Sequence, residues 1–298
     1  MTRATSDRLS RRIVLNLLQH AFVQNAFLAG TIVAIVSGIV GYFVVLRGQA
    51  FACEALSHVG FAGATCAALL GIPALFGMLA FTLLAAAGMG TLGKRLRGRD
   101  VEIGMVLSFV LGLGVLFLSL YTGSANGAVS VLFGSILSVT RTAALITLAT
   151  GLATLAVLIF LFRPLLFASI DPSVAEPRGI PVRALSIVFL LLLAVSVSQA
   201  VQVVGVLLNF TLLIVPAAAA ELLMRSPLAT ILLAVAISLV STWSGLVLAF
   251  VGRAPVSFYI VAISSLCYFA ARGNRHFRAP RRYREPPHPS REVLPPAE

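Results

Sequence analysis

Glu54 and His58 stand four residues apart in the run Glu54-Ala-Leu-Ser-His58. That spacing puts both side chains on one face of a helix, one turn apart. A carboxylate and an imidazole so placed are a ligand pair for zinc, manganese or iron(II). An ionisable side chain inside a membrane span costs about 2.5–3.5 kcal/mol on insertion scales, which favours a polar pathway as its surroundings. The same residues also fit a carboxylate at a helix end and a histidine satisfied by a backbone carbonyl. On chemistry alone both readings stand.

Two further constellations carry information. In Asp171-Pro-Ser-Val-Ala175-Glu-Pro-Arg-Gly179, an aspartate before a proline-led turn is a helix N-cap, and Gly179 marks the exit. The segment reads as a short helix outside the membrane. Its small Ala175 and Gly179 would let another surface approach, although a plain capped connector has the same pattern. In the run from Gly205 to Glu221, Pro216 removes a backbone bond deep in an apolar helix and kinks it, while four following alanines permit close packing. Asn209 in that run needs an interhelical hydrogen bond. Such helices line transport pathways, and they also occur in inert bundles.

The elements that must position these residues follow from composition. The 298-residue chain is 59% hydrophobic and 11% charged, against roughly 25% charged for soluble domains. Between His20 and Arg272 the acidic residues are Glu54, Asp100, Glu102, Asp171, Glu176 and Glu221. Apolar runs cover 21–46, 54–71, 74–93, 102–121, 142–162, 184–203, 205–224, 228–251 and 255–271. A helical span needs about 20 such residues, whereas barrel strands show about ten with strict alternation. The runs are continuous, so the expected fold is all-α, a polytopic transmembrane helical bundle of about 8–9 helices. Residues 1–20 form a polar, interfacial segment, 21–271 the transmembrane domain, and 272–298 a Pro/Arg-rich tail unable to bury a core. Gly123–Val139 is short and Gly/Ser-rich, and suits a re-entrant or interfacial element.

The net charge of +12 is distributed between the apolar runs rather than over one surface. It falls on Arg3, Arg8, Arg11 and Arg12, on 94–99, on Arg163, Arg178 and Arg183, and on seven arginines from Arg272 to Arg291. This is the positive-inside pattern, directed at anionic lipid headgroups and not at nucleic acid. It places 94–101, 163–183 and the tail in the cytoplasm. Counting spans back from a cytoplasmic tail puts the N-terminus outside, against its four arginines. The expectation is a cytoplasmic N-terminus, with a re-entrant segment in 48–93 or a crossing in 123–139 making up the difference. Cys53, Cys66 and Cys267 have neither metal-ligand nor disulfide spacing and read as small apolar residues.

In this order and spacing, the three constellations resemble the integral-membrane permease family of ABC importers for zinc, manganese and iron. The family's acidic–Leu-Ser-His–Gly segment is similar to Glu54, Leu56, Ser57, His58 and Gly63. Its cytoplasmic Asp-x-x-x-Ala-x-x-x-Gly segment is similar to Asp171, Ala175 and Gly179, and its Leu-Leu/Pro-Ala-Ala helix to Gly205, Leu207, Leu208, Leu212, Leu213, Pro216, Ala217 and Ala218. The resemblance spans about residues 20–271. It departs from the family where Glu54 replaces the usual Asp, Ala62 the usual Pro, and Arg253 an acidic residue two positions before Pro255.

The resemblance implies a homodimeric permease of the cytoplasmic membrane, not itself an enzyme and with no permanently bound cofactor. Its implied cargo is a divalent metal ion, with Glu54 and His58 as transient ligands. An extracytoplasmic metal-binding protein would dock outside, and ABC ATPase subunits would dock on Asp171, Ala175 and Gly179. A secondary transporter of another small substrate is the alternative. Gly88-Met-Gly-Thr-Leu-Gly93-Lys94 has phosphate-loop spacing, but Arg95 replaces the magnesium-binding hydroxyl and no strand precedes it.

Overall fold

Backbone polar groups in hydrocarbon must be bonded within the segment, which makes each long apolar run a helix. The computed structural model describes residues 21–92, 100–121, 134, 136–252 and 254–278. Its elements are α1 (Ala21–Leu46), α2 (Ala50–Leu69), α3 (Ala74–Leu92), α4 (Asp100–Leu120) and a 3-10 turn at Ile136–Ser138. They continue with α5 (Arg141–Ile170), α6 (Pro172–Ala175), α7 (Val182–Val204), α8 (Val206–Leu223), α9 (Pro227–Val251) and α10 (Val256–Arg278). Among the described residues seven helices, α1, α3, α5, α7, α8, α9 and α10, are long and apolar enough to cross a membrane. Of the other two long helices, α2 carries Glu54, Ser57 and His58, and α4 contains the apolar stretch Leu107–Leu120. The bundle is all-helical among the described residues.

Three boundaries differ from the sequence expectation. Helix α5 runs on through Pro164 to Ile170, where 142–162 was expected, because proline's fixed φ is itself helical and Leu165 and Ala168 beyond it are buried. Helix α10 continues to Arg278, past the expected end at 271. Gly205 is not the first residue of a helix but the single-residue joint between α7 and α8, with φ +87° and ψ 165°, a backbone region that essentially only glycine occupies. Residues 1–20, 93–99 and 279–298, Arg253, and most of Gly123–Val139 lie outside the described residues.

Helix directions follow from contacts near their ends. Asn25 in α1 donates to the Val139 carbonyl before α5 (3.4 Å), and Arg47 after α1 bonds Ser169 at the end of α5 (3.2 Å), so α1 and α5 are parallel. Arg47 also reaches Ser186 near the start of α7, and Arg183 reaches the Thr91 carbonyl at the end of α3. These ends therefore share one face of the bundle with residues 171–181, the cytoplasmic face by charge. At the other face Gly134 abuts the Val204–Gly205 peptide, and Ile136 and Leu246 approach Gly30. Gly114 in α4 packs on Phe61 and Ala62 in the second half of α2, so α4 runs parallel to α2. The end of α4 and the start of α5 then both lie at the outer face. The stretch 48–92 holds two helices, α2 and α3. The start of α1 lies at the face opposite Arg47, and the segment 1–20 that carries the expectation of a cytoplasmic N-terminus lies outside the described residues.

Close helix approach is what makes the bundle dense. A Cβ on Gly41 would stand 1.8 Å from the Leu213 carbonyl oxygen, where α1 crosses α8. Gly63 of α2 and Gly77 of α3 face each other with equally little room, each Cβ falling within 2.3 Å of the other's carbonyl oxygen. Around Phe43, the rings of Phe162 and Phe189 close the centre, with centroids 5.8 and 6.1 Å away. Overpacking costs about 1–3 kcal/mol where backbone must move. Gly41→Ala is accordingly expected to lower the midpoint of thermal unfolding in detergent, whereas Gly88→Ala, which meets nothing within 4 Å, leaves it unchanged or raises it.

Candidate functional site

Helix α2 begins immediately after a three-residue turn and turns Cys53, Leu56, Ser57, Gly60 and Phe61 into the bundle. Glu54 and His58 lie beside that buried stripe, 33% and 14% exposed at the side chain. They are one turn apart as expected, with His58 Nε2 3.1 Å from Glu54 Oε1. Their other polar atoms, Glu54 Oε2 and His58 Nδ1, are buried without hydrogen-bond partners among the described residues. A carboxylate holding one imidazole nitrogen fixes the tautomer and leaves the second as a lone-pair donor, the state in which imidazole binds metals.

The third constellation meets the first. Asn209 of α8 is fully buried and donates from Nδ2 to Ser57 Oγ at 2.8 Å; Ser57 in turn donates to the Cys53 carbonyl at 3.0 Å. The interhelical bond that Asn209 required thus lands next to His58. Depth follows from α3 and α7. Gly60 faces Thr82, whose hydroxyl lies 2.8 Å from that of Ser198, and Ser198 is sixteen residues into α7, about 24 Å along it. Pro216, one turn beyond Leu212, is buried in α8. Gly63 serves packing, through Gly77. Ala62 is fully buried where Gly114 closes on it.

Asp171, Ala175 and Gly179 form one small unit, separate from the Glu54–His58 pair. Asp171 Oδ1 accepts from Ser173 N (3.1 Å), Ser173 Oγ (2.6 Å) and Val174 N (3.2 Å), capping α6. The hydrogen bond from the Ser173 hydroxyl, followed by the backbone bond from Val174, holds the Asp171 carboxyl below its usual range. Ala175 is buried against Ala168 and Leu185. The turn closes with Ile180 N donating to Ala175 O and Gly179 N to Glu176 O, Gly179 taking φ +78° as the left-handed residue after the helix. Nothing lies within 4 Å of a Cβ placed on Gly179, so its outer surface is open.

Several residues carry more than the sequence reading gave them. Arg47 is absent from the basic clusters read above, yet it joins three helices; an arginine and a glycine directly after an apolar run are the available signal. Gln199, buried, bonds the Thr147 carbonyl and the Thr150 hydroxyl. Thr82 and Ser198 pair across α3 and α7. Among the described residues no three His, Cys, Asp or Glu side chains gather into one metal-binding group.

An all-helical bundle with a carboxylate–imidazole pair held inside it, and a capped helix standing off one face, is the architecture of a transporter's membrane subunit. The model of the ABC 3 transport family matches residues 19–273, and the chain belongs to that family, as a multi-pass protein of the cytoplasmic membrane. It is 30% identical over 256 residues to the manganese transport system membrane protein MntC of Halalkalibacterium halodurans, covering 86% of this chain and 88% of that one. It is 32% identical over 253 residues to the manganese import system permease protein ScaB of Streptococcus parasanguinis, covering 85% and 90%. The solved structure of PsaBC from Streptococcus pneumoniae in complex with Fab superposes with a TM-score of 0.80 at 30% identity, over 88% of this chain and 94% of that one.

Because the folded-state pKa of Asp171 is depressed, the cap is complete above the unfolded-state pKa and is lost as pH falls through the lowered value. Asp171→Ala is expected to speed hydrogen exchange at the Ser173 and Val174 amides at neutral pH. The unaltered chain should show the same acceleration only below the usual aspartate range, once intrinsic rates are divided out. Hydrogen-exchange mass spectrometry of residues 171–181 reads both.

Proposed function

We propose that the chain is the permease subunit of an ATP-driven importer that carries a divalent transition metal ion inward. Manganese is the first choice over zinc and iron, because the relatives named above are manganese systems. The observation that carries this reading is the Glu54–His58 pair, held inside the bundle by a buried Asn209–Ser57 bond and still partly open on one side. A hard-to-borderline donor set of one carboxylate and one imidazole suits manganese(II). Two side-chain ligands leave the remaining positions of the ion to water or to a second copy of the chain, so the ion is held weakly enough to leave. The cargo would reach the pair from an extracytoplasmic metal-binding protein at the outer face, and a homodimer would enclose it.

Energy would come from ATPase subunits seated on α6. Ala175 anchors that short helix to α5 and α7, and Gly179 offers a side-chain-free surface on its exposed side. The permease itself performs no chemistry.

Two measurements test this. His58→Ala is expected to reduce manganese uptake into proteoliposomes by at least about a hundredfold while elution in gel filtration stays unchanged; normal uptake would refute the pair as ligands. Gly179→Glu puts a charged side chain on a left-handed backbone position and is expected to abolish co-purification of the ATPase. Undiminished co-purification excludes that surface as the docking site.

A further inference from the structure

The turn Arg47-Gly48-Gln49 joins α1 to α2 with no slack. Gln49 N donates to Val44 O and Gly48 N to Val45 O, Gly48 takes φ +63°, and Cys53 N already bonds Gln49 O in the first turn of α2. From this turn the Arg47 side chain reaches three ways. Nη1 donates to Ser169 Oγ (3.2 Å), Nη2 donates to Ser186 Oγ (2.5 Å), and the guanidinium lies over the Phe189 ring, 5.3 Å from its centroid. Ser169 is the penultimate residue of α5 and Ser186 lies in the second turn of α7. These are the two helices that flank α6, and Ala168 and Leu185, neighbours of those serines, hold its Ala175. Both hydroxyls are themselves tied back, to Leu165 O and Val182 O. The planar guanidinium fork can serve two acceptors and a ring face at once, which an ammonium cannot. Among the described residues Arg47 forms no ion pair with a carboxylate.

We infer that Arg47 is a positioning residue that links movement of the α5–α6–α7 segment to the first turn of α2, and so to Glu54 and His58 one and two turns further on. The inference rests on the reading of α6 as the ATPase seat and of Glu54–His58 as the metal site. A displacement of α6 moves the ends of α5 and α7, and Arg47 grips both. Because the turn behind it is fixed by its own hydrogen bonds, the displacement passes to α2 rather than being absorbed in a loop.

The test uses the complete complex of the chain with its ATPase in proteoliposomes, reading manganese uptake and ATP hydrolysis together. Arg47→Gln is expected to keep the ATPase associated and hydrolysing, while manganese moved per ATP falls by roughly tenfold. Arg47→Lys should recover only part of that ratio, since it can reach one hydroxyl at a time. If Arg47→Gln fails to assemble, the Ser169→Ala/Ser186→Ala double variant takes its place and should lower the same ratio. An unchanged ratio in whichever variant assembles overturns the inference. Normal uptake in His58→Ala would instead overturn the metal site beneath it. A loss of ATP hydrolysis in proportion to uptake would mean that Arg47 supports docking, and would also overturn it.

Discussion

A polar side chain inside a membrane bundle has no water to fall back on, so its partner must be supplied by another helix. The bond from Asn209 to Ser57 meets that constraint for the amide nitrogen at the point where α8 crosses α2, while Asn209 Oδ1 is buried without a partner among the described residues. With Asn209 unpaired, its amide would be buried and unsatisfied; with the bond made, Ser57 is held by two partners and His58 follows it in the chain. The Asn209–Ser57 bond thus fixes the face that α2 turns to α8, while the Glu54–His58 contact orients the pair's own side chains. Thr82 with Ser198, and Gln199 with Thr147 and Thr150, repeat the device between α3 and α7 and between α5 and α7.

Hydrogen bonds of this kind need backbones close together, and the glycines supply that. Gly41 lets α1 meet the Leu213 carbonyl, and Gly63 with Gly77 lets α2 meet α3. Lipid tails are as apolar as leucine, so burying leucine gives little drive for helices to associate in the membrane. Close contact and internal polar bonds take its place. Helix α5 shows the contrast: Leu152, Ile159 and Phe160 face outward, exposed, as a helix at the edge of the bundle would have them.

Much of this was legible in the residues. The apolar runs mark nearly every helix, since twenty continuous apolar residues have few other solutions. The i, i+4 spacing of Glu54 and His58, and the Asp171 cap with its Gly179 exit, are local patterns with local causes, and they appear in the structure with the geometry their spacing implies. What the residues did not disclose is long-range. Asn209 needed a partner, but nothing near it in the chain names Ser57. The apolar run ends at 162, before Arg163, and only burial of Leu165 and Ala168 beyond it carries α5 onward. Nor could loop charge show which helix ends meet, and it is Asn25 at one face and Arg47 at the other that set α1 beside α5.

The three-residue turn after α1 also bears on how the chain enters the membrane during synthesis. Helix α2, at 20 residues, is long enough for a span but is not among the helices apolar enough to be one, and it carries the ionisable pair. A segment with such residues in its first half inserts poorly alone. Held to α1 by Arg47, Gly48 and Gln49, it can cross as the second arm of a hairpin whose first arm is strongly apolar. The residues that suit α2 for its place in the interior make it a poor span by itself, and the shortness of the turn makes its insertion depend on α1.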